Sequence, residues 1–398
     1  MSTRQEGEHA MTGTVVDREL PTPEAADLLD LTRDLAAREL RPMADKSESA
    51  GSFPRALFAQ LGELGLLSLP YPEEFGGGGQ PAVVYLQVLE ELARGWGTVA
   101  LGTSVHVLAC SAVAEFGTRE QQERFLPDML GGSTLGAYCL SESHAGSDAG
   151  AMRTRAVRDG DDYVLTGEKA WITHGPVADF LLVAARTGDH GARGISTFLV
   201  PGDASGVNAG NAEHKMGFRA SPTSQVTFDG VRVDAERRIG REGQGFGIAM
   251  AALDAGRLGI SACAVGIAQA ALDVAAEYAG QRVAFGRTID EFQGVSFLLA
   301  DAAARITAAR QLYLYAARRK DAGKPFSTEA AMAKLTATDM AMAVTTDMVQ
   351  VLGGAGYVED YPLERYMREA KVLQIVEGTN QIQRLVIARS LKHSSGRS

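Results

Sequence analysis

The segment Ile375-Val376-Glu377-Gly378-Thr379-Asn380 sets a carboxylate beside a glycine, just ahead of a helix-start residue and between two apolar stretches. A Glu so placed can stand at a pocket mouth as a general base, with a backbone N–H free beside it. A carboxylate that only favours a helix N-terminus shares the local pattern. Three other segments offer groups suited to a planar cofactor. Tyr138-Cys139-Leu140-Ser141-Glu142-Ser143-His144-Ala145-Gly146-Ser147-Asp148 is rich in small donors, and its glycine permits close approach; an ordinary Ser/Gly turn has the same composition. Trp171 and Thr173 stand two residues apart, which on a strand puts an aromatic face and a hydroxyl on one side. A core Trp is the plainer alternative. Gln350-Val351-Leu352-Gly353-Gly354-Ala355-Gly356-Tyr357 looks like a dinucleotide fingerprint but follows a helical pattern, so a Rossmann reading fails. The glycines fit a helix C-cap whose exposed backbone could still approach a cofactor.

Composition narrows the classes. The 398 residues carry a formal charge of −10, which argues against a nucleic-acid surface or a basic membrane anchor. Cys110, Cys139 and Cys263 are odd in number and far apart, suggesting neither a disulfide framework nor a zinc site. The histidines include no pair at metal-ligand spacing on a helix, so no metal is expected. The first residues are polar and lack a secretory pattern. Uncharged apolar runs such as Leu258 to Leu272 read as too short to span a bilayer. The expectation is a cytoplasmic protein with reduced thiols and no integral membrane association.

Three elements must position these groups. Residues 1–20 read as a polar tail and 21–134 as an N-terminal helical domain. Leu28, Leu31 and Leu35 share helical spacing, as do Phe58, Leu61, Leu64 and Leu66 in a short helix. Gly76 to Gly79 form a loop, and Thr118 can cap Arg119-Glu120-Gln121-Gln122. Residues 135–244 read as a small antiparallel, barrel-like β middle domain, with strands around 163–166, 180–184, 195–200 and 225–228. Residues 245–398 read as a C-terminal four-helix bundle, in which Ser327 can cap the helix that stops at Gly353-Gly354. The fold class is mainly α with a β middle domain.

In this order, the segments resemble the acyl-CoA dehydrogenase family from about Thr22 to Lys392. Both family signatures have counterparts, around Cys139 to Ala151 and Gln350 to Glu369. The C-terminal half is most similar to the short-chain acyl-CoA dehydrogenases, through Leu253-Asp254-Ala255-Gly256-Arg257-Leu258-Gly259-Ile260 and Gly266-Ile267-Ala268-Gln269-Ala270-Ala271-Leu272-Asp273.

The resemblance implies FAD, a homotetramer built as a dimer of dimers, and electron-transfer flavoprotein as acceptor. It implies that Tyr138, Leu140, Ser141, Ser147, Trp171, Ile172 and Thr173 hold the isoalloxazine. Arg282, Phe285 and Gln293, with Gln350, Gly353 and Gly354, would meet the pyrophosphate and adenine of a neighbour's FAD. Thr379 and Gln381 would complete the site, while Ser147, Asp254, Arg257 and Gly378 would touch the acyl-CoA. Glu377 would be the base and its N–H an oxyanion donor. Some members carry the base on the helix after the β-domain; the matching position is Gly256, which has no side chain. Ser143 and His144 stand where the family usually has Pro and Gly, and His174 where Asn is common. A flavin oxidase or monooxygenase, a carrier-protein-linked acyl dehydrogenase and, more remotely, a non-catalytic binding protein remain alternatives on this fold.

Overall fold

The protein is described by a computed structural model that covers residues 18–189 and 191–394. Most of the expected tail therefore lies outside the described residues. Arg18, within that expected tail, is anchored: it is bound to Glu90 at 2.8 Å and Glu91 at 2.7 Å. Glu90 also takes Arg310 from the bundle, so buried charges are matched between the two helical domains.

Thr22 caps α1 (Pro23–Leu35) by accepting from the Ala25 N–H. Proline stands in the first turn, where its missing N–H costs nothing. α2 (Arg41–Ala50) stops at Gly51 in the left-handed region. α3 (Arg55–Glu63) is shorter than the leucine spacing suggested, and Leu64 and Leu66 lie in the following turn. Gly65 at φ +72° follows the last helical turn there. α4 (Ala82–Gly95) and α5 (Gly97–Phe116) are largely buried. The expected Thr118 cap of α6 (Arg119–Leu130) is a full capping box with Gln121.

The middle domain holds eight strands: β1 (Gly136–Cys139), β2 (Arg155–Asp159), β3 (Asp162–Thr173), β4 (Phe180–Arg186), β5 (Ile195–Pro201), β6 (Val207–Ala209), β7 (Thr223–Asp234) and β8 (Arg238–Ile239). Their order is β6-β7-β3-β2-β4-β5-β8, with β1 also on β4. Most neighbours are antiparallel, as expected, but β1 and β2 both run parallel to β4. The long β1–β2 and β2–β4 connections permit this, because parallel neighbours need a crossover rather than a hairpin. β3 bulges between Lys169 and Ile172, which breaks simple alternation at Trp171.

The C-terminal domain packs α7 (Gly245–Gln281), α8 (Gln293–Asp321) and α9 (Ser327–Leu352) together, with α10 (Gly354–Tyr357), α11 (Leu363–Leu373) and α12 (Asn380–Ser394) completing it. Ser327 is not the expected cap. It is the first residue of α9, and its hydroxyl bonds Asp254 of α7 instead. The apolar stretches are also longer than the sequence reading allowed. α5 and α7 have the length and apolarity of membrane spans, but their apolar windows are 83% and 100% buried inside the protein. They are core helices by that measure. Glu48 of α2 ties the domains: it accepts from Trp96 Nε1 at 2.8 Å and from the Ala220 N–H of the middle domain at 3.2 Å.

Candidate active site

Glu377 sits in the turn between α11 and α12. Thr379 caps α12 by accepting from the Ile382 N–H, and the Asn380 N–H returns to the Gln374 carbonyl. Between these two ties the chain makes two left-handed steps, at Glu377 (φ +52°) and Gly378 (φ +87°). Only glycine takes such a conformation without strain, so Glu377 is held there by its surroundings. Among the described residues, the Glu377 and Gly378 N–H groups find no acceptor.

The Glu377 side chain closes on Gly256 of α7. A Cβ at residue 256 would overlap the carboxyl group, so the glycine is required for this packing. Oε2 is inaccessible to water and has no hydrogen-bond partner. Burial pushes the carboxyl up to about 7, against the opposing pull of Lys334 and Arg257. A buried oxygen without a partner, on a group titrating near neutrality, is suited to taking a proton from a ligand.

A cavity of about 260 Å³ begins at Gly256 and lies between α4, α5 and α7. Tyr85, Leu86, Ser104 and Leu258 line its buried part, and Pro72 and Glu115 lie at its exposed end. Its inner lining suits an apolar tail. Asp254 and Arg257 form an ion pair on α7 beside this site. Burial raises the Asp254 carboxyl, opposed by the Ser327 hydrogen bond and by Arg257. Arg257 Nε is buried without a partner.

A second group forms where β1 meets β3. The Ala170 N–H donates to the Ser141 carbonyl at 2.9 Å, which joins the Tyr138–Ser141 segment to the Trp171–Thr173 segment. Leu140 and Ile172 are buried, while Ser141 and Thr173 are half-exposed. Tyr138 reaches the Ala249 carbonyl of α7. Trp171 is 58% exposed and left-handed at φ +57°. Buried Lys169 underlies the group, donating to the Leu140 carbonyl and Glu142 at 2.9 Å each, while Glu142 accepts from the Arg153 and Thr154 N–H groups. The sequence reading missed this brace. Ser147 stands exposed in the loop beyond it.

The two histidines among the positions that depart from the family pattern differ in setting. His144 is exposed, 3.6 Å from Glu142. His174 is fully buried against Phe53 and Phe58, with Nδ1 3.0 Å from the Gly136 carbonyl oxygen. Burial pushes it down to about 4, so it is neutral.

Arg282, Phe285 and Gln293 are exposed around the hairpin β9 (Val283–Ala284) and β10 (Arg287–Thr288), at the far end of α7. Arg282 lies twenty-five residue steps beyond Arg257, just past the end of α7, a rise of about 37 Å. A single chain therefore does not bring these residues to Glu377. Gln350, Gly353 and Gly354 are exposed at the end of α9, and Gln381 is exposed on α12. Phe285 is 98% exposed and left-handed at φ +53°. Trp171, Phe285 and Glu377 are three of the five left-handed non-glycine residues among those described. Such strain concentrates where function maintains it.

The family models for the acyl-CoA dehydrogenase N-terminal, middle and C-terminal domains match residues 22–133, 137–231 and 243–392. The chain belongs to the acyl-CoA dehydrogenase family. This acyl-CoA dehydrogenase family member is 42% identical to the short-chain specific acyl-CoA dehydrogenase of Clostridium acetobutylicum, over 90% of its own length and 95% of that protein's. It is similar to the structure of butyryl-CoA dehydrogenase from Megasphaera elsdenii, with a TM-score of 0.92 and 42% identity over 94% of this chain and all of the other. A chain solved in work on the electron transferring flavoprotein of Acidaminococcus fermentans matches with the same score and identity, over 94% of this chain and 99% of that one. The three-part fold and the resemblance read from the sequence are thus borne out, and the protein is a FAD-dependent oxidoreductase.

The residues present fit that cofactor. An exposed indole beside the half-exposed hydroxyl residues Ser141 and Thr173 suits one face and edge of a flavin ring. The exposed arginine and phenylalanine of the far hairpin have the chemistry to meet a pyrophosphate and an adenine ring.

Proposed function

We propose that the protein oxidises an acyl-CoA thioester between C2 and C3 to the trans-2-enoyl-CoA, with Glu377 as base. The observation that carries this reading is the Glu377 carboxyl itself: buried against Gly256, one oxygen unpartnered, at the head of an apolar cavity and beside its own free N–H. The acyl tail enters the cavity past Gly256. The thioester oxygen accepts from the Glu377 N–H, which stabilises charge as the C2 proton leaves. That proton goes to the Glu377 carboxylate. FAD, when bound, supplies the acceptor for the hydride from C3. Tyr138, Leu140, Ser141, Ser147, Trp171, Ile172, Thr173, Thr379 and Gln381 hold the ring end; Asp254, Arg257, Ser147 and Gly378 hold the thioester and CoA. A closed pocket excludes water and oxygen while product is bound.

Electron-transfer flavoprotein is the acceptor in this reading, supported by the likeness to the chain solved in the Acidaminococcus work. The cytoplasm is the compartment, in keeping with three buried free thiols. Anaerobic mixing with straight and branched acyl-CoAs of increasing length tests the reaction. Bleaching of the flavin by a member of the series, followed by reduction of electron-transfer flavoprotein, is the expected result. Rapid peroxide release without reduction of that protein would favour an oxidase.

The assembly is a homotetramer in which Arg282, Phe285, Gln293, Gln350, Gly353 and Gly354 complete a neighbour's FAD site. The support is their exposure, around the hairpin after α7 and at the end of α9. Arg282→Ala is expected to weaken FAD retention by about tenfold or more, since an Arg–phosphate contact is charge-assisted and bidentate. Flavin content after gel filtration measures it, and full occupancy in a stable monomer would sink the shared site.

A further inference from the structure

Among the residues around Glu377, Lys334 of α9 has no role in the scheme above. Its side chain is fully buried in an alanine-rich helix, near Ala330, Ala331, Ala333 and Ala337. An ammonium there is expensive unless its protons are well used. Two of them are: Nζ donates to the Gly378 carbonyl at 3.0 Å and to Asn380 Oδ1 at 2.9 Å. Both acceptors belong to the turn that carries the base. The Gly378 carbonyl also accepts from Gln383 Nε2 at 2.8 Å, and Asn380 is fixed further by Thr338 and Asp339.

We infer that Lys334 is a positioning residue for dehydrogenation: by clamping the Gly378 carbonyl and the Asn380 side chain it keeps the Glu377 carboxyl and N–H turned to the substrate. This rests on the reaction proposed above. The physical case is the left-handed pair at residues 377 and 378. Strained steps persist only where the surroundings over-determine them. Lys334 and Gln383 hold the Gly378 carbonyl, and Gln383 Nε2 also donates to the Glu377 carbonyl at 3.3 Å, so the peptides on both sides of Gly378 are tied and the Glu377 N–H stays free to donate. A neutral side chain could fill the same volume at lower cost, so the retained charge has its use in the field it creates. That field comes from one side of a ring of groups around Glu377. Arg257 and Cys263 face it from α7, Tyr85 from α4 and Tyr138 from β1, and Asp339 faces Lys334 from its own helix. Lys334 and Arg257 are the cations of that ring, and both favour the ionised base. Lys334 is itself pushed down to about 7 by burial, against the pull of Glu377 and Asp339, so the two groups titrate as a pair.

The test uses the FAD-loaded enzyme and two variants. Lys334→Met removes both donors and the charge; Lys334→Gln removes the charge but keeps a donor. Flavin reduction is followed against pH with an acyl-CoA that turns over in the wild type. Binding of an alkyl-CoA thioether, which has no carbonyl oxygen, is measured at equilibrium. Lys334→Met is expected to slow flavin reduction at least tenfold and move the acid limb of kcat/KM to higher pH. Thioether affinity should stay within about threefold. Lys334→Gln should recover part of the rate while keeping the displaced limb. If Lys334→Met does not retain FAD, the limb in Lys334→Gln decides. A wild-type acid limb in the variants, or a rate loss matched by an equal loss of thioether binding, overturns the inference. A wild type that no acyl-CoA reduces would instead refute the reaction itself.

Discussion

Glu377→Gln is expected to leave acyl-CoA bound and the flavin almost unreduced. The amide keeps the size of the side chain and the backbone N–H, but has no basic oxygen. General-base catalysis is typically worth about 10² to 10⁴ in rate, and the loss should lie at the upper end because a proton beside a thioester is weakly acidic. The wild-type profile supplies a second reading. Since burial raises Glu377 to about 7, the base is protonated below that pH and ionised above it. Flavin reduction should therefore climb as pH rises through about 7, and Glu377→Gln should flatten that climb along with the rate. Stopped-flow bleaching across pH, together with an equilibrium titration of a non-reducible acyl-CoA analogue, measures both. Reduction of the Gln variant at a near wild-type rate would place the base on another residue.

Gly256→Ala should also be damaging, though the residue contributes no side chain and the loss is smaller. The added methyl would occupy the space of the Glu377 carboxyl and force it out of position. A misplacement of about 1 Å can cost about 10² in rate. Helix propensity runs the other way: alanine inside a helix is favoured over glycine by roughly 0.5–1 kcal/mol, so α7 itself should not suffer. The expected phenotype is a stable, flavin-bound protein with flavin reduction slowed about a hundredfold. Moving the carboxylate, as Glu377→Gly with Gly256→Glu, vacates the clash and should return part of the activity from the opposite wall. A Gly256→Ala enzyme with unchanged flavin reduction would mean that the carboxyl works from a different pose than the one seen.

Much of this was legible in the chain. Periodicity, caps and turn residues located the helices of both α-domains and the shift to strands near Leu135. Local rules failed where distant partners decide. Nothing near Ser327 signals that its hydroxyl is taken by Asp254, seventy-three residues away. The parallel placement of β1 and β2 on β4 is a matter of crossover, which strand pattern does not encode. Leu64 and Leu66 follow the helical period but fall beyond the last turn of α3. At the site, Glu377 could be named from its neighbours in sequence, whereas Lys334 and the Lys169–Glu142 brace could not. A signal did exist for Lys334: a lone cation within an alanine-rich, buried helix face is a cost that asks for a partner. The residues around the hairpin after α7 were visible only through the resemblance, because the use proposed for them lies in a second chain.

The protein has two tryptophans, and the fold separates them sharply. Trp96 is sealed in the core with its indole N–H on Glu48, while Trp171 lies more than half exposed on the proposed flavin shelf. Its emission is therefore a natural gauge of cofactor loading. Flavin arriving beside Trp171 should quench its emission more strongly than that of buried Trp96. Trp171→Phe removes the responsive indole and leaves Trp96 alone, so it is the control: the quenching that follows saturation of the shelf in the wild type should largely disappear in it.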